Sequence, residues 1–159
     1  MVCSGSRPMK AVNAQSRAGF GDLQAPITRM KIVMSATIDA DATGRRRPIQ
    51  GREFADEATL LFLTSGASAK LREALANCGL VDLSYSDSRR QDYVSVSGIA
   101  QVVEGRARMH EVWSARDPIR FPQGPDDPDA TLVRVVITKA EYRVSPNSAV
   151  RRRRNWTRP

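Results

Sequence analysis

The sequence predicts a mainly β domain, a small antiparallel barrel with short helices outside it, on three observations. Between the two ends of the chain the dominant hydrophobic period is two, the spacing of strands that differ between their two faces. Gly98 interrupts the longest alternating run, where a bend or bulge would curl a sheet towards closure. No series of strands alternating with helices is present, which argues against a doubly wound parallel sheet.

Each element follows from its own stretch. The segment "AGFGDLQAPITRM" is a poor or broken helix, because Gly19, Gly21 and Pro26 interrupt it. "IVMSATID" places Ile32, Met34, Ala36 and Ile38 on one side and Val33, Ser35 and Thr37 on the other, a half-buried strand. The turn signal "DADATG" then lets "RRRPIQG" run back antiparallel, with Pro48 confined to an edge or bulge because it cannot donate to a ladder. "ATLLFLT" is apolar on both faces and suits a strand covered on both sides. A small-residue loop leads from it into a helix, with Leu71, Ala74, Leu75 and Cys78 as the buried stripe and Gly79 as the left-handed cap. "LVDLSY", "DYVSVSGIAQVV" and "TLVRVVIT" supply three further strands, and "EGRARMHEVW" a second helix with Met109, Val112 and Trp113 facing inward. The reading is about six strands and two short helices, without an internal repeat.

At 159 residues, 41% hydrophobic and 26% charged, the chain suits one domain with a real core. Its +8 charge is unevenly spread: Arg151, Arg152, Arg153, Arg154 and Arg158 carry +5, and Arg7, Lys10 and Arg17 against Asp22 carry +2, leaving +1 between them. The chain thus divides into a basic, disordered tail over residues 1–25, a near-neutral domain over 26–150, and an arginine-rich tail over 151–159. Nucleic-acid contact is expected to be no more than weak and tail-mediated, and no membrane contact is expected, since the sequence has no run of 18 or more apolar residues. Cys3 and Cys78 form no ligand spacing and no disulfide framework, which points to a reducing cytoplasm.

Few side chains suggest chemistry. His110, the only histidine, reads as a surface or partly buried side chain, and Asp126, Asp127 and Asp129 as a rigid turn, so no metal site and no catalytic residue is assigned. Ser84, Ser95 and Ser97 lack a nearby histidine, and Trp113 reads as core. The start of the "SAKLREAL" helix offers two readings. Ser68 and Lys70 are either a phosphate cradle at a helix N-terminus or an ordinary N-cap with a solvated lysine.

From about Met30 to Val150 the order of segments resembles the general stress protein branch of the pyridoxamine 5'-phosphate oxidase-like family, the flavin-binding split barrels. The stretches that carry this are "RRPIQ", "LLFLTSGASAK", "VDLSYSDSRRQDYVSVSGIAQVV", "FPQGPDDPDATLVRV" and "AEYRVSPNS". The resemblance implies a mainly β, six-stranded antiparallel split β-barrel with short flanking helices, a homodimer, and FMN (with FAD as the other flavin of this reading) in a groove between subunits. It places the flavin phosphate on Arg47, Ser68 and Lys70, the strand end Leu63 and Thr64 along the cofactor, the Ile49 backbone near the isoalloxazine ring, and Tyr93 facing the flavin. The implied function is a redox or stress-response flavoprotein with a small-molecule redox partner; as an enzyme it would be an FMN-dependent oxidoreductase, its chemistry belonging to the flavin. Where relatives commonly carry aromatics this chain has Arg120 and Arg143, which implies a second reading, a flavin-poor dimeric split barrel acting as a binding or interaction module.

Overall fold

The computed structural model describes residues 23–30, 32–38, 43–56, 58–76, 78–143 and 154–157. In chain order the elements are α1 (Gln24–Arg29), β1 (Ile32–Ile38), β2 (Gly44–Asp56), β3 (Thr59–Ser65), α2 (Ala69–Ala76), β4 (Leu80–Asp87) and β5 (Asp92–Val102). After these come α3 (Ala107–Val112), two 3-10 turns (Asp117–Ile119 and Gly124–Asp126), β6 (Ala130–Arg143) and β7 (Arg154–Thr157). Helix α1 tolerates Pro26 because the proline sits in its first turn, where a backbone N–H has no intrahelical acceptor.

The strands run in the order β3-β2-β1-β4-β5-β6, and a β3–β6 pairing closes them into a six-stranded antiparallel barrel, as the alternation predicts. Ser35 of β1 lies opposite Arg47 of β2 and Leu83 of β4. Pro48 stands opposite Met34, on the part of β2 that precedes its pairing with β3 at Gly51, so its missing N–H breaks no second ladder. The β5–β6 register shifts between Ser97 and Gly98, which is the expected bulge. A Cβ on Gly98 would lie 2.6 Å from Val135 Cγ1 and 2.7 Å from the Val136 carbonyl oxygen, so β6 packs where only hydrogen fits.

Strand β6 explains the split. Its residues Ala130–Val136 pair with β3, whereas further along, Lys139–Tyr142 pair with β7 instead. Residues 154–157, read from sequence as part of a disordered arginine-rich tail, are therefore a seventh strand covering the edge that β3 leaves open. Leu23, read as part of the other tail, is fully buried, so the packed region begins before residue 26.

Two apolar clusters result. The barrel interior holds Val33, Leu60, Phe62, Leu83, Val96 and Ile137 with their neighbours. A smaller cluster outside it joins Leu61, Leu63 and Leu132 to Met109 and Phe121, with Val112 and Trp113 against it. Strand β3 separates the two, which is why both of its faces are buried. Strand β1 buries Val33, Ser35 and Thr37 and turns Ile32 (68% exposed) and Met34 outward, so its more apolar face points away from the interior.

Helix α2 departs from the sequence reading. Leu71 and Ala74 are buried, but Leu75 and Cys78 are exposed. Gly79 N–H donates to the Ala74 carbonyl at 2.7 Å, a Schellman closure in which Cys78 (φ 56°) takes the left-handed position and Gly79 (φ 76°) follows it. At the far end of the barrel Arg29 of α1 pairs with Asp87 at 3.4 Å and Asp92 at 3.0 Å, clasping the β4–β5 hairpin.

Candidate functional site

The corner of the barrel where β3 runs into α2 gathers most of the residues in question. Gly66 N–H donates to the Asp129 carbonyl at 2.8 Å, and the Asp129 carboxylate accepts from Ser65 Oγ at 2.8 Å and Ala67 N–H at 3.3 Å. A side chain at Gly66 would meet Thr131 Oγ1 at 2.7 Å, so glycine lets the loop pass. Ser68 N–H then closes a turn on the Ser65 carbonyl, and the Ser68 carbonyl accepts from Leu71 and Arg72, which makes Ser68 the first residue before the helix. Its hydroxyl faces that of Thr64 at 3.5 Å. Asp127 and Asp129 spend their carboxylates on such loop donors, Asp127 accepting from Gln123 N–H at 3.3 Å and Asp129 N–H at 3.0 Å, as the rigid-turn reading expects. His110 Nε2 and Asp126 Oδ1, 2.9 Å apart, form an exposed pair.

Beneath this corner lies a cavity of about 50 Å³, lined by Ser35, Thr37, Ile49, Leu63, Thr64 and Leu71 among others. Arg47 is half-buried beside it and meets the Glu73 carboxylate of α2 with two nitrogens: Nη1 to Oε2 at 3.0 Å and Nη2 to Oε1 at 3.3 Å. Thr37 Oγ1 donates to the same Oε2 at 2.9 Å. Glu73 is held below the usual carboxylate range, first by its bonds to Arg47, against burial, and further by Thr37 and the charges of Arg47 and Arg45.

Ile49, Leu63 and Thr64 thus line one cavity, Ser68 meets Thr64 at the start of α2, and Arg47 meets α2 one turn further on, at Glu73. Lys70 lies in the first turn of α2, and its side chain is outside the described residues. Tyr93 is placed elsewhere: it is 52% exposed on the outer face of β5, opposite Ser86 and Arg143, with β4 and β1 between it and β2. Arg120 is exposed and stacks its guanidinium over the Phe121 ring at 5.5 Å. Glu73 escaped the sequence reading. It is 26 residues from Arg47, and only the packing of α2 on the barrel brings the two together. Among the described residues no group of three or more histidine, cysteine, aspartate or glutamate side chains could hold a metal ion.

The donors at this corner, a guanidinium, a hydroxyl at a helix start and the helix amides, are of the kind that bind a phosphate monoester. They fit the phosphate end of a flavin mononucleotide, on the condition that the Arg47 edge is released by Glu73.

Comparison with known proteins agrees with this architecture. A solved structure from Clostridium acetobutylicum, related to general stress protein 26 and of the pyridoxinephosphate oxidase family, aligns over 89% of this chain and 95% of its own, with a TM-score of 0.70 at 17% identity. General stress protein 26 from Bacillus anthracis aligns over 76% and 92%, with a TM-score of 0.63 at 20% identity. A structure from Xanthomonas citri named general stress FMN/FAD binding protein aligns over 85% and 92%, with a TM-score of 0.63 at 19% identity. At these identities the likeness establishes the split-barrel fold. No curated protein sequence matches the chain. The family model described as pyridoxamine 5'-phosphate oxidase like matches residues 20–155, so the chain belongs to the pyridoxamine 5'-phosphate oxidase-like family.

Proposed function

We propose that this chain is an FMN-binding redox protein of the stress-response type, working as a homodimer with a small-molecule redox partner. The observation that carries the reading is that α2 presents the Ser68 hydroxyl, facing Thr64, at its start and holds Arg47 through Glu73 further along, beside a cavity that Thr64, Ile49 and Leu63 line. Arg47 would meet two phosphate oxygens as a planar fork, Ser68 would add a hydroxyl, and Lys70 a compact charge. When bound, the flavin supplies the electron transfer; the protein's part is to seat the phosphate and orient the ring along β2 and the end of β3.

A second copy has a place in this reading. The outward faces of Ile32, Met34 and Tyr93 leave apolar surface on the sheet, away from the Arg47 corner, which a partner would cover. Among the described residues no helix is long and apolar enough to cross a membrane. A cytoplasmic location suits the reading.

One observation favours a flavin-poor binding module instead: Arg47 is already satisfied by Glu73. Absorbance in the flavin bands of protein purified without added cofactor, followed by titration with FMN, separates the two. Saturable FMN binding supports the flavoprotein, and its absence supports the module.

A further inference from the structure

Arg47 offers an anion a planar fork, and its Nη1–Nη2 edge is taken. Both oxygens of Glu73 face it, and one of them also accepts from the buried Thr37 hydroxyl. The carboxylate is no wandering surface group, because α2 is fixed by Leu71 and Ala74 in the core and by the Gly79 closure at its end. A phosphate brought to Arg47 with Glu73 in place would meet a negative charge at contact distance, and the Nη1–Nη2 edge cannot serve both forks at once. Arg45, two residues along the same face of β2, also acts on Glu73 through its charge and stands where a displaced carboxylate would still meet a cation.

We propose that Glu73 is an internal competitor for the anion seat on Arg47: a phosphate-bearing ligand reaches the guanidinium edge only by displacing this carboxylate, whereas a ligand without phosphate does not disturb it. The inference rests on the proposed seating of a phosphate at Arg47. It makes Glu73 a specificity-determining residue, since it sets how much of the attraction of Arg47 for an anion reaches the ligand.

The test uses the full chain, with inorganic phosphate followed by calorimetry and FMN and riboflavin by flavin fluorescence. Glu73→Gln keeps the shape and an acceptor for Thr37 while removing the charge. It is expected to bind inorganic phosphate and FMN about tenfold tighter than the wild type, with riboflavin unchanged within about twofold. Thr37→Val, which removes one of the bonds that hold Glu73 Oε2 in place, should move phosphate affinity the same way by a smaller factor, and decides the matter if Glu73→Gln does not fold. Phosphate affinity that is unchanged or weaker in the folded variant, or unmeasurable in variant and wild type alike, overturns the competitor. A gain for inorganic phosphate with no binding of either flavin supports the competitor and sinks the flavin reading instead.

Discussion

Gly79 is seated directly against Ala100. The Gly79 carbonyl accepts from Ala100 N–H at 2.7 Å, and a Cβ on Gly79 would come within 2.4 Å of the Ala100 carbonyl oxygen. This contact ties the end of α2, and with it Ser68 and Glu73, to β5. Gly79→Ala adds a left-handed alanine to a clash with backbone, and it should lower the unfolding free energy by about 2 to 4 kcal/mol. Urea denaturation of the two proteins measures it.

Tyr85 is 3% exposed, and its hydroxyl has no hydrogen-bond partner among the described residues. Burial pushes its phenol well above the ordinary tyrosine range. Because the folded value is raised, the stability contributed by the neutral phenol is complete below about pH 10 and is lost as pH rises above it. Tyr85→Phe removes an unsatisfied donor and should stabilise the protein by about 1 to 3 kcal/mol near neutrality. Its advantage over the wild type should widen in alkali, which thermal melts across pH will show.

Strand β1 tests the assembly. With Ile32 and Met34 outward and Val33 and Ser35 inward, Met34→Lys changes only the outer surface. The wild type should sediment as a dimer at micromolar concentration and Met34→Lys as a folded monomer. A monomeric wild type would contradict the dimer.

How far the sequence reached depended on whether the deciding force was local. Alternation in "LVDLSY" and "DYVSVSGIAQVV" reports burial directly, so β4 and β5 were legible, as was the two-sided cover of β3. Gly98 announced its bulge because glycine in an alternating run has few other uses. Leu75 was misread because a stripe of hydrophobic residues says nothing about how wide a contact its neighbour offers; among the described residues, Leu71 and Ala74 are the apolar side chains that α2 buries. The Arg154–Thr157 strand was hidden by composition: a run of arginines reads as a solvated end, yet a backbone ladder to β6 needs no apolar side chains. Of the site, Ser68 and Thr64 were local to one loop, while the Arg47–Glu73 pair needed the fold itself.

Deleting residues 151–159 should expose the β6 edge. Amide hydrogen exchange in Lys139–Tyr142 is expected to accelerate, while exchange in Ala130–Val136, paired with β3, stays slow. FMN affinity should be nearly unchanged, and retention on nucleic acid should fall in a salt-dependent way.

The central claim is that the start of α2 and Arg47 receive the phosphate of a flavin, and comparing FMN with riboflavin tests it most directly. Titrated by flavin fluorescence, the wild type should bind FMN more tightly than riboflavin. Arg47→Ala and Lys70→Ala should each weaken FMN by about 1.5 to 3 kcal/mol, roughly ten- to a hundredfold, and leave riboflavin almost unchanged. Equal weakening of both ligands, or no binding of either by the wild type, would contradict the account and return Ser68 and Lys70 to a helix cap and a solvated side chain.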